Sequence, residues 1–350
     1  MKVFLIGGTG LLGSATAREL IARGHEVYAL ALPPEPPADW VPKGLQLELA
    51  DYSLMDDATL SERLAGCDAL VFAAGVDERV ESPPPVYDFF HRHNIAPLHR
   101  LMRLARTVGV RRMVVFGSYF VHFDRIWPDM RLAEVHPYIR SRVDQEALAL
   151  SFADEQTAVT VLELPYIFGA QPGRRPVWVF LVDQLRRMGR ITFYPRGGTT
   201  MVTVRQVAQA VAGALSRESG AKALPVGYYN RTWREMLRVM YAAMGQPHQP
   251  ILTIPTWMYR IALRQVSRKT AARGVESGLN LAALADLMSC RAFIASSEGT
   301  AELGVGPDDI DAAIAESIHL SMDVLDGRTE VIGMQNGWQD RAVPGAGTKK

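Results

Sequence analysis

The amino-acid sequence predicts an α/β protein: a doubly wound, parallel sheet with helices on both faces, followed by a smaller C-terminal domain interleaved with it. Three observations carry this expectation. Short apolar runs alternate with helical stretches over residues 1–169, as in strands buried on both faces and joined by crossover helices. A glycine triplet, Gly7, Gly10 and Gly13, lies between the first apolar run and the first helical stretch. Beyond Gly169 the alternation gives way to mostly helical sequence.

In order along the chain, residues 3–6 form an apolar strand closed by Gly7 and Gly8, and residues 11–23 a helix stopped by Gly24. A second strand over 27–32 runs into Pro33, Pro34, Pro36 and Pro37, which mark a loop. Residues 45–50 alternate and end at Asp51; 57–64 read as helix and 69–73 as a fourth strand. Pro83, Pro84 and Pro85 lead into a long helix over 86–108, followed by a strand at 113–116, a helix at 138–152 and a sixth strand at 159–164. The substrate domain is expected over 170–325, with strand fragments at 191–194 and 201–204. A strand and helix from 199–217 return to the first domain. The glycine-rich tail, 333–350, reads as disordered.

Bulk composition narrows the function classes. The chain has 350 residues, 38 basic against 37 acidic side chains, and a hydrophobic fraction of 48%. A near-neutral balance supplies no field for nucleic acid, so a small molecule is the expected partner. Cys67 and Cys290 are the two cysteines; two isolated thiols build neither a zinc site nor a disulfide framework, so no metal is implied and a cytoplasmic location is expected. The N-terminal apolar run is too short for a signal peptide, and no stretch has the length of a membrane span.

The order strand, glycine-rich turn, helix is the context of a Rossmann-type dinucleotide site. One glycine permits the turn, another lets backbone N–H groups approach the pyrophosphate, and a third lets helix and strand pack closely. Gly7, Thr9, Gly10, Leu11, Leu12 and Gly13 are the expected cradle. Asp51, with Tyr52 beside it, stands where a carboxylate accepts from an adenine amino group. The second strand ends in Ala31-Leu32, with neither the acid that holds a ribose 2′-hydroxyl nor the arginine that favours a 2′-phosphate. NAD and NADP both stay open as cofactor.

With GGTGLLG at 7–13, the chain resembles the extended short-chain dehydrogenase/reductases, in their NAD-dependent epimerase/dehydratase branch. Further segments are similar in serial order: ALVFAAG at 69–75, Asn94, RMVVFGS at 112–118, His136-Pro137-Tyr138, LELPYIFG at 162–169 and GVGPDDIDAAIAESI at 304–318. The resemblance implies that Ala73, Ala74 and Gly75 lie beneath the cofactor, that Asn94 organises a proton relay, and that Ser118 binds the reacting oxygen. It further implies Tyr138 as general acid/base, His122 and Tyr166 against the substrate, and a homodimer through the helices at 86–108 and 138–152. In the family a lysine four residues after the tyrosine lowers its pKa and holds the nicotinamide ribose; here that residue is Arg142. Arginine keeps the charge but is a planar fork of donors, so it need not reproduce the lysine's grip.

On the substrate side, the stretch at 199–206 lacks the arginine and aspartate pair of nucleotide-sugar relatives, and Glu163 stands in the place of a common arginine. Arg174 and Arg175 follow Pro172-Gly173 as an anion-binding option. Trp257, Met258, Tyr259 and Ile261 lie on a stretch resembling an apolar helix of 3β-hydroxysteroid dehydrogenase relatives, interrupted by Arg260 and Arg264. The leading reading is an NAD(P)-dependent oxidoreductase or epimerase/dehydratase acting at a secondary alcohol or ketone carbon, on a sugar-derived or an apolar sterol- or terpenoid-like substrate. The competing reading is a dinucleotide-binding sensor that has lost redox chemistry through Arg142.

Overall fold

The computed structural model describes residues 1–333. Among them, seven strands form one parallel sheet: β1 (Lys2–Ile6), β2 (Glu26–Ala31), β3 (Gln46–Leu49), β4 (Ala69–Phe72), β5 (Arg112–Phe116), β6 (Ala158–Glu163) and β7 (Gly220–Pro225). Their spatial order is β3-β2-β1-β4-β5-β6-β7, so the winding direction reverses between β1 and β4. In such sheets the crevice beyond the carboxyl ends at the reversal is where ligands bind. The glycine-rich turn follows β1 and residues 73–75 follow β4, so both border that crevice.

The central strands β1, β4 and β6 are almost wholly buried because both faces of the sheet are covered. Val3 and Leu5 point to one side, onto Ala17 and Leu20 of the helix Leu11–Ala22 and Val207 and Val211 of the helix Val204–Ala214. Phe4 and Ile6 point to the other, onto Leu60, Leu64, Leu98, Leu101 and Met102. The seventh strand lies just beyond the 199–217 stretch expected to return to the sheet. From that stretch the helix Val204–Ala214 joins the first core, whereas Gly198–Thr203 pairs with Tyr166–Phe168, Tyr229–Thr232 and Arg291–Ala292 in a separate small sheet.

Two further departures have local causes. The helix expected over 86–108 is broken into Val86–Phe90, a π-helical turn at His91–Ile95, and Ala96–Thr107. Pro97 has no N–H to donate to the carbonyl of residue 93, and the neighbouring Asn94 carbonyl accepts from a side chain of another helix, Gln145 Nε2, at 3.0 Å. The second lobe carries more strand than expected, including a parallel pair of Thr192–Pro195 with Ile251–Ile254. Its core gathers Phe168, Trp178, Met236, Leu237 and Ile314. On the helix Thr256–Ala272 only Thr270 is buried, and Trp257, Met258 and Ile261 are exposed. No helix among the described residues is long and apolar enough to cross a membrane. The expected disordered tail falls, from residue 334 on, outside the described residues.

Candidate active site

The turn after β1 leaves no room for side chains. A Cβ on Gly13 would lie 2.1 Å from the Gly7 carbonyl oxygen, and one on Gly7, whose φ is +89°, would lie 2.9 Å from the Ala73 oxygen. Gly10 caps the helix Leu11–Ala22 without a side-chain hydrogen bond. Backbone N–H groups at a helix start with no capping side chain suit an anion, so the cradle fits a dinucleotide pyrophosphate. Gly10, Leu11, Leu12 and Gly13 line one cavity together with Ala73, Ala74 and Gly75, and with Ser118, Tyr138, Arg142 and Tyr166.

Tyr138 enters that cavity from the first turn of the helix Pro137–Leu150, where Pro137 fits because an N1 residue needs no N–H partner. Its own N–H donates to the Gly278 carbonyl at 2.8 Å, which ties the helix start to the second lobe. The ring packs edge-on against Phe90, 5.4 Å between centroids. Beside it, the His136 ring is buried; burial depresses its pKa to about 4, and Nδ1 accepts from the Asn280 N–H at 3.1 Å. His136 is thus a neutral fixing group.

Arg142, one turn on, donates from Nε to the Tyr138 hydroxyl at 3.0 Å. Its Nη1 donates to Gln145 Oε1 at 2.7 Å and to the Phe116 carbonyl at 3.4 Å, and its Nη2 to the Val76 carbonyl at 3.2 Å. Asn94 closes the network: its side chain donates to the Val76 carbonyl at 3.0 Å and accepts from the Val76 N–H at 2.7 Å, while its carbonyl receives Gln145. Arg142, Gln145 and Asn94 are all buried. The guanidinium is thus spread over neutral acceptors, which its fork geometry allows and an ammonium would not match.

The charge of Arg142 lowers the Tyr138 pKa, as the sequence led us to expect, but burial outweighs it and the phenol stands above its ordinary value. Glu78, which sequence reading passed over, lines the same cavity and raises it further. Ser118 caps the helix Tyr119–Ile126, its Oγ accepting from the Phe120 N–H at 3.4 Å.

Six expected residues are not part of this cavity's lining: Gly7 and Asn94, which support it as described above, and His122, Asp51, Tyr52 and Thr9. Residues 119–126 form a helix that carries His122 to face Glu298, 3.6 Å between Nε2 and Oε2. Asp51 accepts from the Ser53 N–H at 2.9 Å and hydroxyl at 2.6 Å, forming a turn. Tyr52 is packed in the core under the sheet. Thr9, within the glycine-rich turn, is held by Gln171 and Arg174, which donate to its carbonyl and its hydroxyl. Among the described residues no group of three or more His, Cys, Asp or Glu is placed to hold a metal.

Behind the site, Glu163 at the end of β6 is fully buried and shares Arg125 with Glu146, at 2.7 and 2.8 Å. Burial and the neighbouring Glu146 push Glu163 up to about 8. The folded state therefore keeps a proton that the unfolded chain releases near pH 4.5, so this pair's contribution to stability is present at low pH and lost as pH rises toward 8. We expect the unfolding midpoint to fall between pH 5 and 8 in the wild type and to fall less in Glu163→Gln. Parallel curves in a thermal melt series would contradict the assignment.

A parallel sheet reversing at a glycine-rich turn, with a tyrosine one helical turn from a cation beside that turn, defines a dinucleotide-dependent enzyme of the extended short-chain dehydrogenase/reductase type. The chain belongs to the NAD dependent epimerase/dehydratase family, whose model matches residues 3–222. It is 27% identical over 265 residues to a 2-alkyl-3-oxoalkanoate reductase of Stenotrophomonas maltophilia, covering 71% of this chain and 77% of that protein. It is 29% identical over 178 residues to a 4-hydroxy-2-methyl-3-oxo-4-farnesyl-3,4-dihydroquinoline-1-oxide ketoreductase of Stigmatella aurantiaca, a match spanning 49% of this chain and 51% of that relative. Its fold is similar to that of MoeE5 in complex with UDP-glucuronic acid and NAD, with a TM-score of 0.62, 20% identity, and coverage of 93% of this chain and 100% of that one.

Proposed function

We propose that the protein is an NAD(P)H-dependent reductase of a ketone on an apolar substrate. The observation that carries the reading is a proton-bearing Tyr138 in a cavity whose walls are largely aromatic and aliphatic, with Asp77 and Glu78 as the acids among them. Those walls include Phe120, Tyr166, Val177, Trp178 and Phe180. Among the described residues lining it, Arg142 is the sole cation, and its hydrogen bonds go to Tyr138, Gln145 and two carbonyls. A nucleotide-sugar diphosphate would find no uncommitted cation there.

The reduced nicotinamide, when bound, supplies hydride to the carbonyl carbon. Tyr138 donates its phenolic proton to the carbonyl oxygen as that oxygen gains charge. Ser118 hydrogen-bonds to the same oxygen. Arg142 stabilises the phenolate left behind, and Asn94 and Gln145 hold the guanidinium in place. Gly7, Gly10, Leu11, Leu12 and Gly13 would bind the pyrophosphate, and Ala73, Ala74 and Gly75 the floor of the nicotinamide end.

A raised phenol pKa suits proton donation at neutral pH. The general acid works below its pKa and fails above it, so reduction stays flat through neutral and mildly alkaline pH and declines only above the range in which an ordinary phenol ionises. The test is cofactor oxidation with a panel of apolar ketones, alongside UDP-glucose and UDP-glucuronic acid. Turnover of ketones with no effect of the nucleotide sugars is expected. Turnover or binding of the nucleotide sugars alone would overturn the reading.

A further inference from the structure

We infer that Gln171 and Arg174, on the loop leading into the second lobe, form a second arm of the dinucleotide site that takes a ribose hydroxyl and a phosphate of the cofactor. The inference rests on the cofactor reading above. It begins from a gap: β2 ends in Ala31-Leu32, which offers the adenosine end of a dinucleotide neither an acceptor nor a cation.

The loop that could fill this gap is held firmly. Gly173 has φ +72°, and a Cβ there would overlap the Trp40 ring at 1.4 Å, so only glycine lets the loop lie flat on the segment that follows β2. Ile332 N–H donates to the Gly173 carbonyl at 2.7 Å, and Arg175 N–H to the Ile332 carbonyl at 3.0 Å. So anchored, the loop brings two side chains onto the glycine-rich turn. Gln171 Nε2 donates to the Thr9 carbonyl at 3.2 Å. Arg174 donates to the same carbonyl from Nε at 2.9 Å and to the Thr9 hydroxyl from Nη2 at 2.6 Å.

Each side chain is left with an unmet need. Gln171 is 4% exposed, and its Oε1 is buried with no hydrogen-bond partner among the described residues. That oxygen shares a carbon with the nitrogen bonded to Thr9, so it lies beside the turn, and a buried acceptor wants a donor. A ribose hydroxyl is one. Arg174 is half-buried, and among the described residues its side chain bonds only to uncharged groups of Thr9. Burial pulls its pKa down. A partly desolvated guanidinium next to an anion cradle is completed by a phosphate oxygen. The two phosphate sources within a dinucleotide, the pyrophosphate and a 2′-phosphate, present the same chemistry.

The experiment is fluorescence and calorimetric titration of the full chain and of Arg174→Gln, Arg174→Lys and Gln171→Leu with NADH, NADPH, ADP and adenosine. Arg174→Gln should weaken the phosphate-bearing ligands by about tenfold or more, flatten the salt dependence of their Kd, and leave adenosine unchanged. Arg174→Lys should recover part of the loss, and Gln171→Leu should weaken adenosine and the dinucleotides alike. An equal loss for NADH and NADPH assigns the pyrophosphate; a loss confined to NADPH assigns the 2′-phosphate. Unchanged affinities, or an adenosine loss in Arg174→Gln as large as that for NADH, would overturn the proposal and leave Arg174 as a pin for the turn. A wild-type chain that binds neither dinucleotide would instead overturn the cofactor reading beneath it.

Discussion

Replacing Tyr138 with phenylalanine lowers kcat for ketone reduction by ~10²–10⁴-fold, the usual span for a lost general acid, while NADH and NADPH bind as before. The change removes only the hydroxyl that receives Arg142 Nε at 3.0 Å; the ring keeps its edge-on contact with Phe90. Stability should fall by about 1–3 kcal/mol, because a buried N–H of Arg142 loses its acceptor. Steady-state kinetics beside cofactor titration separates the two effects. Full activity in this variant would move the proton donor elsewhere, with Glu78 the next group in the cavity to try.

The second large effect is at Arg142. Methionine in its place leaves Gln145 Oε1 without its donor and takes one donor from each of the Phe116 and Val76 carbonyls, the latter still served by Asn94, all in a buried setting. That costs on the order of 3 kcal/mol or more, and the Tyr138 phenolate loses its cation, so activity should drop with stability. Arg142→Lys keeps the charge but cannot span four acceptors at once. It should retain much of the catalysis if the lysine turns to Tyr138, and should still lose stability through the abandoned Gln145 and carbonyls. Chemical denaturation together with kcat reads both; a lysine variant as stable as the wild type would show that the fork geometry is not what the network uses.

Much of this was readable from the chain because parallel strands buried on both faces leave an unbroken apolar signature, as in β1, β4 and β6. The seventh strand left no such mark: Gly220–Pro225 lies at the sheet edge and carries Lys222 among partly exposed residues. The glycine-rich turn was legible because its crowding admits only glycine at fixed spacing. The π-helical turn at His91–Ile95 was not, since it depends on Gln145 reaching across from another helix. Gln145 itself could have been found, three residues after Arg142 on the same helix face. Arg174 was marked by its place after Pro172-Gly173, but its contact with Thr9, like the positions of Glu78 and Gln171, comes from packing between segments far apart in sequence, which no local pattern encodes. The setting of His122 was not legible either: it follows from the helix Tyr119–Ile126, which sets its ring against Glu298.

The central claim is net hydride transfer to a ketone with Tyr138 as proton donor, and isotope transfer tests it most directly. The enzyme is incubated with an apolar ketone and cofactor deuterated at the hydride-donating carbon, and the product is read by mass spectrometry for the wild type and Tyr138→Phe. The account predicts one deuterium on the carbinol carbon, with one cofactor oxidised per alcohol formed, and a product rate in the variant lower by the factor given above. Product formed without deuterium, or cofactor returned unoxidised after turnover, would contradict it and point to a reaction with no net redox change.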